Sequence, residues 1–187
     1  VGCSVIVKAH PAHLATSTMV AEAIIQAAIA TQMPANVFQH VTDTSFESGK
    51  ALVQDDNIYA VGFTGSSTGG RALLDYANTR KNPIPVFAEM GSVNPVLLLQ
   101  DALEKNAESI AKNYASSITI GMGQFCTNPG ILLGIKSEAL NTFANTLATE
   151  MNAIAPSAML HAGIEAAYLK NSTHALAQKG ITSLTKN

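Results

Sequence analysis

The chain has 187 residues, of which 47% are apolar and 13% are charged, and its formal net charge is −2. This composition is typical of a globular protein that buries one good-sized domain or parts of two, and it excludes an intrinsically disordered chain. The balance of 11 basic and 13 acidic residues, together with the absence of Trp, argues against a nucleic-acid partner. No run reaches the roughly 18 continuous apolar residues of a membrane helix, so no membrane partner is expected.

The predicted helices and strands alternate along the chain. Strands are predicted over residues 3–7, 37–41, 58–63, 84–89, 95–99 and 131–135, and helices over residues 16–31, 46–54, 67–78, 103–117, 138–153 and 162–177. This order predicts an α/β fold, with a doubly wound, Rossmann-like parallel sheet followed by part of a second α/β domain. The junction is predicted between residues 89 and 94.

Two cysteines, Cys3 and Cys126, stand far apart in the sequence, without a CxxC motif or a Cys/His cluster. We therefore expect free thiols and no metal site, in a reducing, cytoplasmic protein. Cys3 lies in a β-branched run and is expected to be a small apolar filler in a buried strand. Because the chain begins inside this run and stops without a closing element, we also expect it to be a piece of a longer polypeptide.

A glycine-rich turn, GFTGSSTGG over residues 62–70, follows a predicted strand and opens a predicted helix. Backbone N–H groups at a helix start form an anion site, and glycines let a phosphate approach the main chain. Gly65, Ser66 and Gly70 are candidate cofactor-binding residues here, with the Ser66 hydroxyl as a further donor. The segment is not GxGxxG, so an ordinary strand-to-helix turn is the alternative.

A second glycine-bearing loop, GMGQFCTNP over residues 121–129, carries Cys126 between a predicted helix and a predicted strand. Backbone amides around such a cysteine favour its thiolate and stabilise the oxyanion that forms when it attacks a carbonyl. The alternative is a small apolar residue that only fills space.

Charged residues end two of the predicted strands. Glu89, followed by Met90, ends an apolar strand and is a candidate general base; a structural ion pair or simple exposure is the alternative. Lys8 and His10 follow the first strand, at the sheet edge where open α/β folds bind ligands. Lys8 can hold a ribose hydroxyl or a phosphate, whereas a solvated turn is the alternative for both residues.

The order of these motifs resembles the aldehyde dehydrogenase superfamily over essentially the whole chain. The segments KAHPAH, FAEMGSVNP and GQFCTNPG are most similar to the NADP-dependent α-ketoglutarate-semialdehyde and fatty-aldehyde branches. The resemblance implies that residues 1–90 are part of a nicotinamide-nucleotide-binding domain and residues 91–187 part of the catalytic domain. It also implies a small-molecule aldehyde substrate and a homo-oligomeric parent.

The resemblance further implies roles for single residues. Cys126 would form a thiohemiacetal and then a thioester, and Glu89 would activate the water that hydrolyses the thioester. Lys8 would contact the adenosine ribose, Ser66 would hold the pyrophosphate, and Met90 would belong to the cofactor surface.

This chain departs from the family pattern at Pro11, where the family often has a glutamate that binds the ribose 2′-hydroxyl. Because the lost carboxylate would repel a 2′-phosphate, we expect NADP as cofactor, with NAD also usable. Two alternatives remain open: a relative that passes the acyl group to coenzyme A, against which Glu89 argues, and a catalytically silent nucleotide-binding remnant. The expected truncation leaves the activity of the chain alone in question.

Overall fold

The computed structural model describes residues 2–185 and divides into two compact units. The first unit ends at Gly91 and the second begins at Ser92. The assignment of the first unit to nucleotide binding and of the second to catalysis stays a prediction.

The first unit is built from parallel strand pairs with connecting helices. Its elements in chain order are β1 (Val5–Lys8), α1 (Leu14–Ala30), β2 (Phe38–Val41), α2 (Glu47–Gln54), β3 (Val61–Gly65), α3 (Ser67–Asn78) and β4 (Val86–Met90), with a 3-10 turn (Pro11–His13) before α1. β1 pairs with β2, and β3 pairs with β4, both in parallel. Within residues 2–185 no ladder joins the two pairs, so the expected single sheet is present as separate two-stranded sheets.

The second unit repeats the strand–helix–strand arrangement once. Its elements are β5 (Pro95–Leu98), α4 (Gln100–Ile118), β6 (Ile131–Gly134), α5 (Glu138–Ala153) and α6 (Ala162–Leu176), and β5 pairs with β6 in parallel. The α4 and α5 helices pack on this pair around one apolar cluster. Its buried members are Leu98, Leu103, Ala107, Ala111 and Phe143.

The first unit buries smaller side chains than the second. Its buried hydrophobic residues are Ala9, Ala21, Val53 and Ala77. A side-chain hydrogen bond of 2.7 Å between Ser17 Oγ and His40 Nε2 ties α1 to β2. In both units one sheet face carries exposed apolar side chains, for example Phe87 (70% exposed) on β4 and Leu97 (67%) on β5. Parallel sheets are ordinarily covered on both faces, so these two pairs are each covered on one.

Helix α1 is apolar around most of its circumference. Together with the preceding turn it forms the one segment in the described part of the chain, Pro11–Ala30, that is long and apolar enough to cross a membrane. This finding rests on length and composition only, and only 6% of the segment is buried. The core helix of a soluble protein passes the same test, so the expectation of no membrane partner stays a prediction.

Two sequence-based expectations about strands are wrong. β1 begins at Val5, and Cys3 is exposed and precedes it, so Cys3 does not fill a buried strand. The third strand begins at Val61 rather than at residue 58, and Tyr59 is 76% exposed. The apolar residues just before each strand extended the predicted run, although the ladder hydrogen bonds start later.

Candidate active site

The glycine-rich turn joins β3 to α3, and Ser66 is the N-cap of that helix. The Ser66 hydroxyl oxygen accepts the N–H of Gly69 at 3.1 Å. The hydroxyl proton can still be donated, and the first N–H groups of a helix have no partner within the helix. The end of α3 therefore presents donors and the positive end of the helix dipole, which suits a phosphate.

The glycines of this turn make room for side chains of the protein itself. A Cβ at Gly70 would lie 2.3 Å from Met90 Sδ, and a Cβ at Gly65 would lie 2.6 Å from the ring of Phe63. Gly70 is buried. The structure thus gives Gly65, Gly70 and Met90 packing roles between β3, β4 and α3, and their contact with a cofactor stays a prediction.

The carboxyl ends of β1 and β2 place two opposite charges near each other. Lys8 ends β1, where its Cα pairs with that of Val41 on β2, and Asp43 follows β2. The pKa of Asp43 is lowered from its usual 3.8 to about 2, chiefly by the hydroxyl and the N–H of Ser45, and Ser48 and the charge of Lys8 contribute smaller parts of the same decrease. The carboxylate oxygens lie 2.6 Å from Ser45 Oγ and 3.0 Å from Ser45 N.

His10 has a local structural role. Its ring Nδ1 accepts the N–H of Ala12 at 3.1 Å and caps the short turn before α1. The predicted contact of His10 with a cofactor gains no support from this arrangement and stays a prediction.

Glu89 lies on the solvent-facing side of β4. Its Cα pairs with that of Thr64 on β3, and both residues are exposed. An open groove on this pair is lined by Gly62, Phe63, Thr64, Phe87, Ala88 and Glu89. Position and exposure allow Glu89 to exchange a proton with solvent, as a general base must.

Cys126 lies in an irregular loop whose backbone is turned sharply before it. The residues Gly121, Met122 and Gly123 have φ values of 59°, 59° and 70°. A positive φ is unusual for a residue with a side chain, so Met122 adopts it against its own preference. The thiol of Cys126 is free and exposed.

Side chains from outside the loop hold its backbone. Ser92 Oγ donates to the carbonyl of Cys126 at 2.5 Å, and Asn94 Nδ2 donates to the same carbonyl at 2.8 Å. Asn94 also donates to the carbonyl of Asn128 at 2.9 Å. The Tyr114 hydroxyl donates to the carbonyl of Pro129, and burial raises the pKa of Tyr114.

Sequence reasoning missed these anchors. No motif in the sequence predicts a role for Ser92 or Asn94. The bonds from Ser92 and Asn94 cross more than thirty residues and follow no local periodicity, so no sequence pattern indicates them.

The predicted site residues are divided between the two units. Lys8, His10, Ser66 and Glu89 belong to the unit that ends at Gly91, whereas Cys126 belongs to the unit that begins at Ser92. Across residues 2–185, no three His, Cys, Asp or Glu side chains come together in a group that could hold a metal ion.

Comparison with known proteins agrees with the fold and identifies the family. The model of the aldehyde dehydrogenase family matches residues 1–175, and the chain belongs to this family. The family resemblance inferred from the sequence is thereby confirmed.

Two curated relatives are both named as alpha-ketoglutaric semialdehyde dehydrogenases. Alpha-ketoglutaric semialdehyde dehydrogenase 2 of Azospirillum brasilense is 47% identical over 167 residues, which are 89% of this chain and 32% of the relative. Alpha-ketoglutaric semialdehyde dehydrogenase of Acinetobacter baylyi is 40% identical over 96% of this chain and 34% of the relative. The chain thus spans about a third of the length of these curated relatives.

Solved structures confirm the α/β prediction. Gamma-glutamyl-gamma-aminobutyraldehyde dehydrogenase from Burkholderia cenocepacia superposes with a TM-score of 0.77 at 26% identity, over 92% of this chain and 35% of that one. An indole-3-acetaldehyde dehydrogenase in complex with NAD+ superposes with a TM-score of 0.80 at 24% identity, over 93% of this chain and 36% of that one. At that lower identity the likeness concerns the fold alone.

Proposed function

We propose that the protein containing this chain oxidises an aldehyde to a carboxylic acid, with Cys126 as nucleophile and a nicotinamide dinucleotide as oxidant. The single observation that supports it most is the free, exposed thiol of Cys126 in a loop that is anchored at the carbonyl of the same residue. Family membership supplies the reaction class. α-Ketoglutarate semialdehyde is the proposed substrate, because it is the substrate in the names of both curated relatives.

The proposed roles follow the chemistry of each group. The thiolate of Cys126 adds to the aldehyde carbon and gives the anion of a thiohemiacetal, whose oxyanion re-forms a carbonyl when the hydride leaves. A bound nicotinamide would accept the hydride of that carbon, which leaves a thioester on Cys126. Glu89 removes a proton from water, the water attacks the thioester, and the acid departs as the thiol is restored.

The residues of the first unit fit a dinucleotide. The donors at the start of α3, with Ser66, suit the pyrophosphate, and Lys8 suits the adenosine ribose or its phosphate. Pro11 removes a carboxylate that would repel a 2′-phosphate, which supports NADP+. Asp43, which follows the neighbouring strand β2, is ionised and would repel the 2′-phosphate of NADP+. This repulsion supports NAD+ as an alternative cofactor.

The test measures reduced nicotinamide formed from α-ketoglutarate semialdehyde with NADP+ or NAD+, beside calorimetric binding of both nucleotides. Cys126→Ala is expected to lower the rate by on the order of a thousandfold or more, because the nucleophile is lost. Cys3→Ala is the matched control and should leave the rate unchanged, since Cys3 is exposed in the other unit.

Two outcomes would overturn the proposal. Nucleotide binding without aldehyde-dependent reduction would make the chain a silent nucleotide-binding protein. Equal losses of the reduction rate in Cys126→Ala and Cys3→Ala would show that Cys126 is not the nucleophile.

A further inference from the structure

One backbone carbonyl in the cysteine loop, that of Cys126, accepts two side-chain donors. Ser92 Oγ lies 2.5 Å and Asn94 Nδ2 lies 2.8 Å from this oxygen. Both donors stand just before β5, more than thirty residues ahead of the cysteine. The loop does not supply either bond itself.

These two bonds are not required to satisfy a buried group. Cys126 and Ser92 are both exposed, so water could bind the carbonyl equally well. What the protein donors add is direction, since water would leave the peptide free to rotate. The two bonds therefore fix the orientation of the Cys126 peptide.

Because the peptide bond is planar, the orientation of the Cys126 carbonyl also determines that of the following N–H. In a trans peptide the carbonyl and the following N–H point in opposite directions. Fixing the Cys126 carbonyl therefore fixes the N–H of Thr127, which points away from Ser92 and Asn94. Two donors on one carbonyl also polarise the peptide and strengthen that N–H as a donor. Backbone N–H groups beside a cysteine stabilise its thiolate.

Other bonds hold the rest of the loop without Ser92. Asn128 Nδ2 donates to the carbonyl of Ile118 at 2.8 Å, and the Tyr114 hydroxyl donates to the carbonyl of Pro129. Asn94 also donates to the carbonyl of Asn128. The loop has several anchors, whereas the bond from Ser92 reaches Cys126 alone. Removing the Ser92 hydroxyl thus takes away one of the two bonds to the Cys126 carbonyl, while the other anchors keep the loop in place.

We propose that Ser92 and Asn94 are positioning residues that hold the peptide after Cys126 and so aim its thiol at the aldehyde. This inference rests on the proposed function of Cys126. Ser92 is the more specific of the pair, because Asn94 also donates to the carbonyl of Asn128.

The test compares Ser92→Ala with Ser92→Thr and with Val93→Ala. Val93 lies between the two donors, and its side chain is 66% exposed, so its truncation perturbs the same segment without removing a bond. The first measurement is the rate of alkylation by iodoacetamide, followed by mass spectrometry at Cys126 and at Cys3 in the same molecule. The second is kcat and KM for the aldehyde.

Ser92→Ala is expected to slow Cys126 alkylation roughly three- to tenfold, the effect of one lost hydrogen bond, and to lower kcat by a similar factor with KM unchanged. Ser92→Thr keeps the hydroxyl and should restore both. Val93→Ala should match the parent, Cys3 should react at one rate throughout, and the circular dichroism spectrum should not change.

Failure of this inference differs from failure of the proposed function. If the parent oxidises the aldehyde and Ser92→Ala does so at the same kcat, Ser92 has no positioning role. If Ser92→Thr behaves as Ser92→Ala, or if Cys3 changes together with Cys126, the effect is structural and the inference is wrong. If Cys126 of the parent reacts no faster than Cys3 and no oxidation occurs, the proposed function itself fails.

Discussion

The two candidate catalytic side chains, Glu89 and Cys126, are placed by different kinds of interaction. Glu89 is held by the β3–β4 ladder, in which its backbone pairs with Thr64. Cys126 lies outside any ladder, and its backbone is held by the side chains of Ser92 and Asn94. The position of Glu89 therefore depends on backbone bonds that a side-chain substitution does not remove, whereas removing one hydroxyl takes away one of the two bonds that orient the Cys126 carbonyl.

The hydrophobic cores of the two units also differ, in the size of the side chains that they bury. The first unit buries mostly alanines and one valine, so its interior depends on close backbone approach, as at Gly70 against Met90. The second unit buries Leu103 and Phe143, and Phe143 contacts the ring of Tyr114, whose hydroxyl donates to the Pro129 carbonyl in the cysteine loop.

The largest expected effect follows from removing Phe143 from the second unit. Its side chain is 2% exposed and contacts the ring of Tyr114 edge-on, with centroids 6.3 Å apart. Phe143→Ala is expected to lower the free energy of unfolding by about 3–5 kcal/mol, since it leaves a cavity in the core. Because Tyr114 anchors Pro129, the alkylation of Cys126 should change as well.

Phe46→Ala is the matched control for that measurement. Phe46 is 88% exposed, so the same truncation should change the free energy of unfolding by less than about 0.5 kcal/mol. Urea denaturation of both variants makes the comparison. Equal losses of the free energy of unfolding in Phe143→Ala and Phe46→Ala would contradict the placement of Phe143 in the core.

A smaller effect is expected from the two serines that cap helices in the two units. Ser66 caps α3 through Gly69 N, and Ser137 caps α5 through Leu140 N, each at 3.1 Å. Ser66→Ala and Ser137→Ala should each cost about 1 kcal/mol of stability, because each removes one cap bond. Only Ser66→Ala should also weaken calorimetric binding of NADP+. Equal loss of binding in both variants would show that Ser66 acts on stability alone.

These caps also explain which elements the sequence predicts well. The helices over residues 67–78 and 138–153 have the predicted bounds, because each follows a serine that accepts a hydrogen bond from the first turn. Cys3 was misplaced because a β-branched run gives the composition of a strand but not the point where pairing begins. The family and the motifs around Cys126 and Glu89 were recognisable from short segments of residues that stand together in the chain.

Contacts between distant residues could not be predicted in this way. The bonds from Ser92 and Asn94 to Cys126 depend on how β5 and the loop lie in space, and no spacing in the sequence records that. The nearness of Lys8 and Asp43 depends on the parallel pairing of β1 and β2. The roles of single residues in the site therefore need the structure even where the family is evident.

The smallest expected effect concerns the acid stability of the first unit, through Asp43. Its pKa of about 2 in the folded chain lies below its usual 3.8, chiefly because the Ser45 hydroxyl and N–H bind the ionised form. A depressed pKa contributes stability that is complete above about pH 4 and is lost as the pH falls towards 2. Asp43→Asn keeps the shape and removes this titration. The free energy of unfolding, measured by urea denaturation between pH 5 and about pH 2, should therefore fall less steeply in the variant than in the parent. Other carboxylates titrate equally in both proteins, so parallel profiles would show that the bonds from Ser45 to Asp43 do not stabilise the fold.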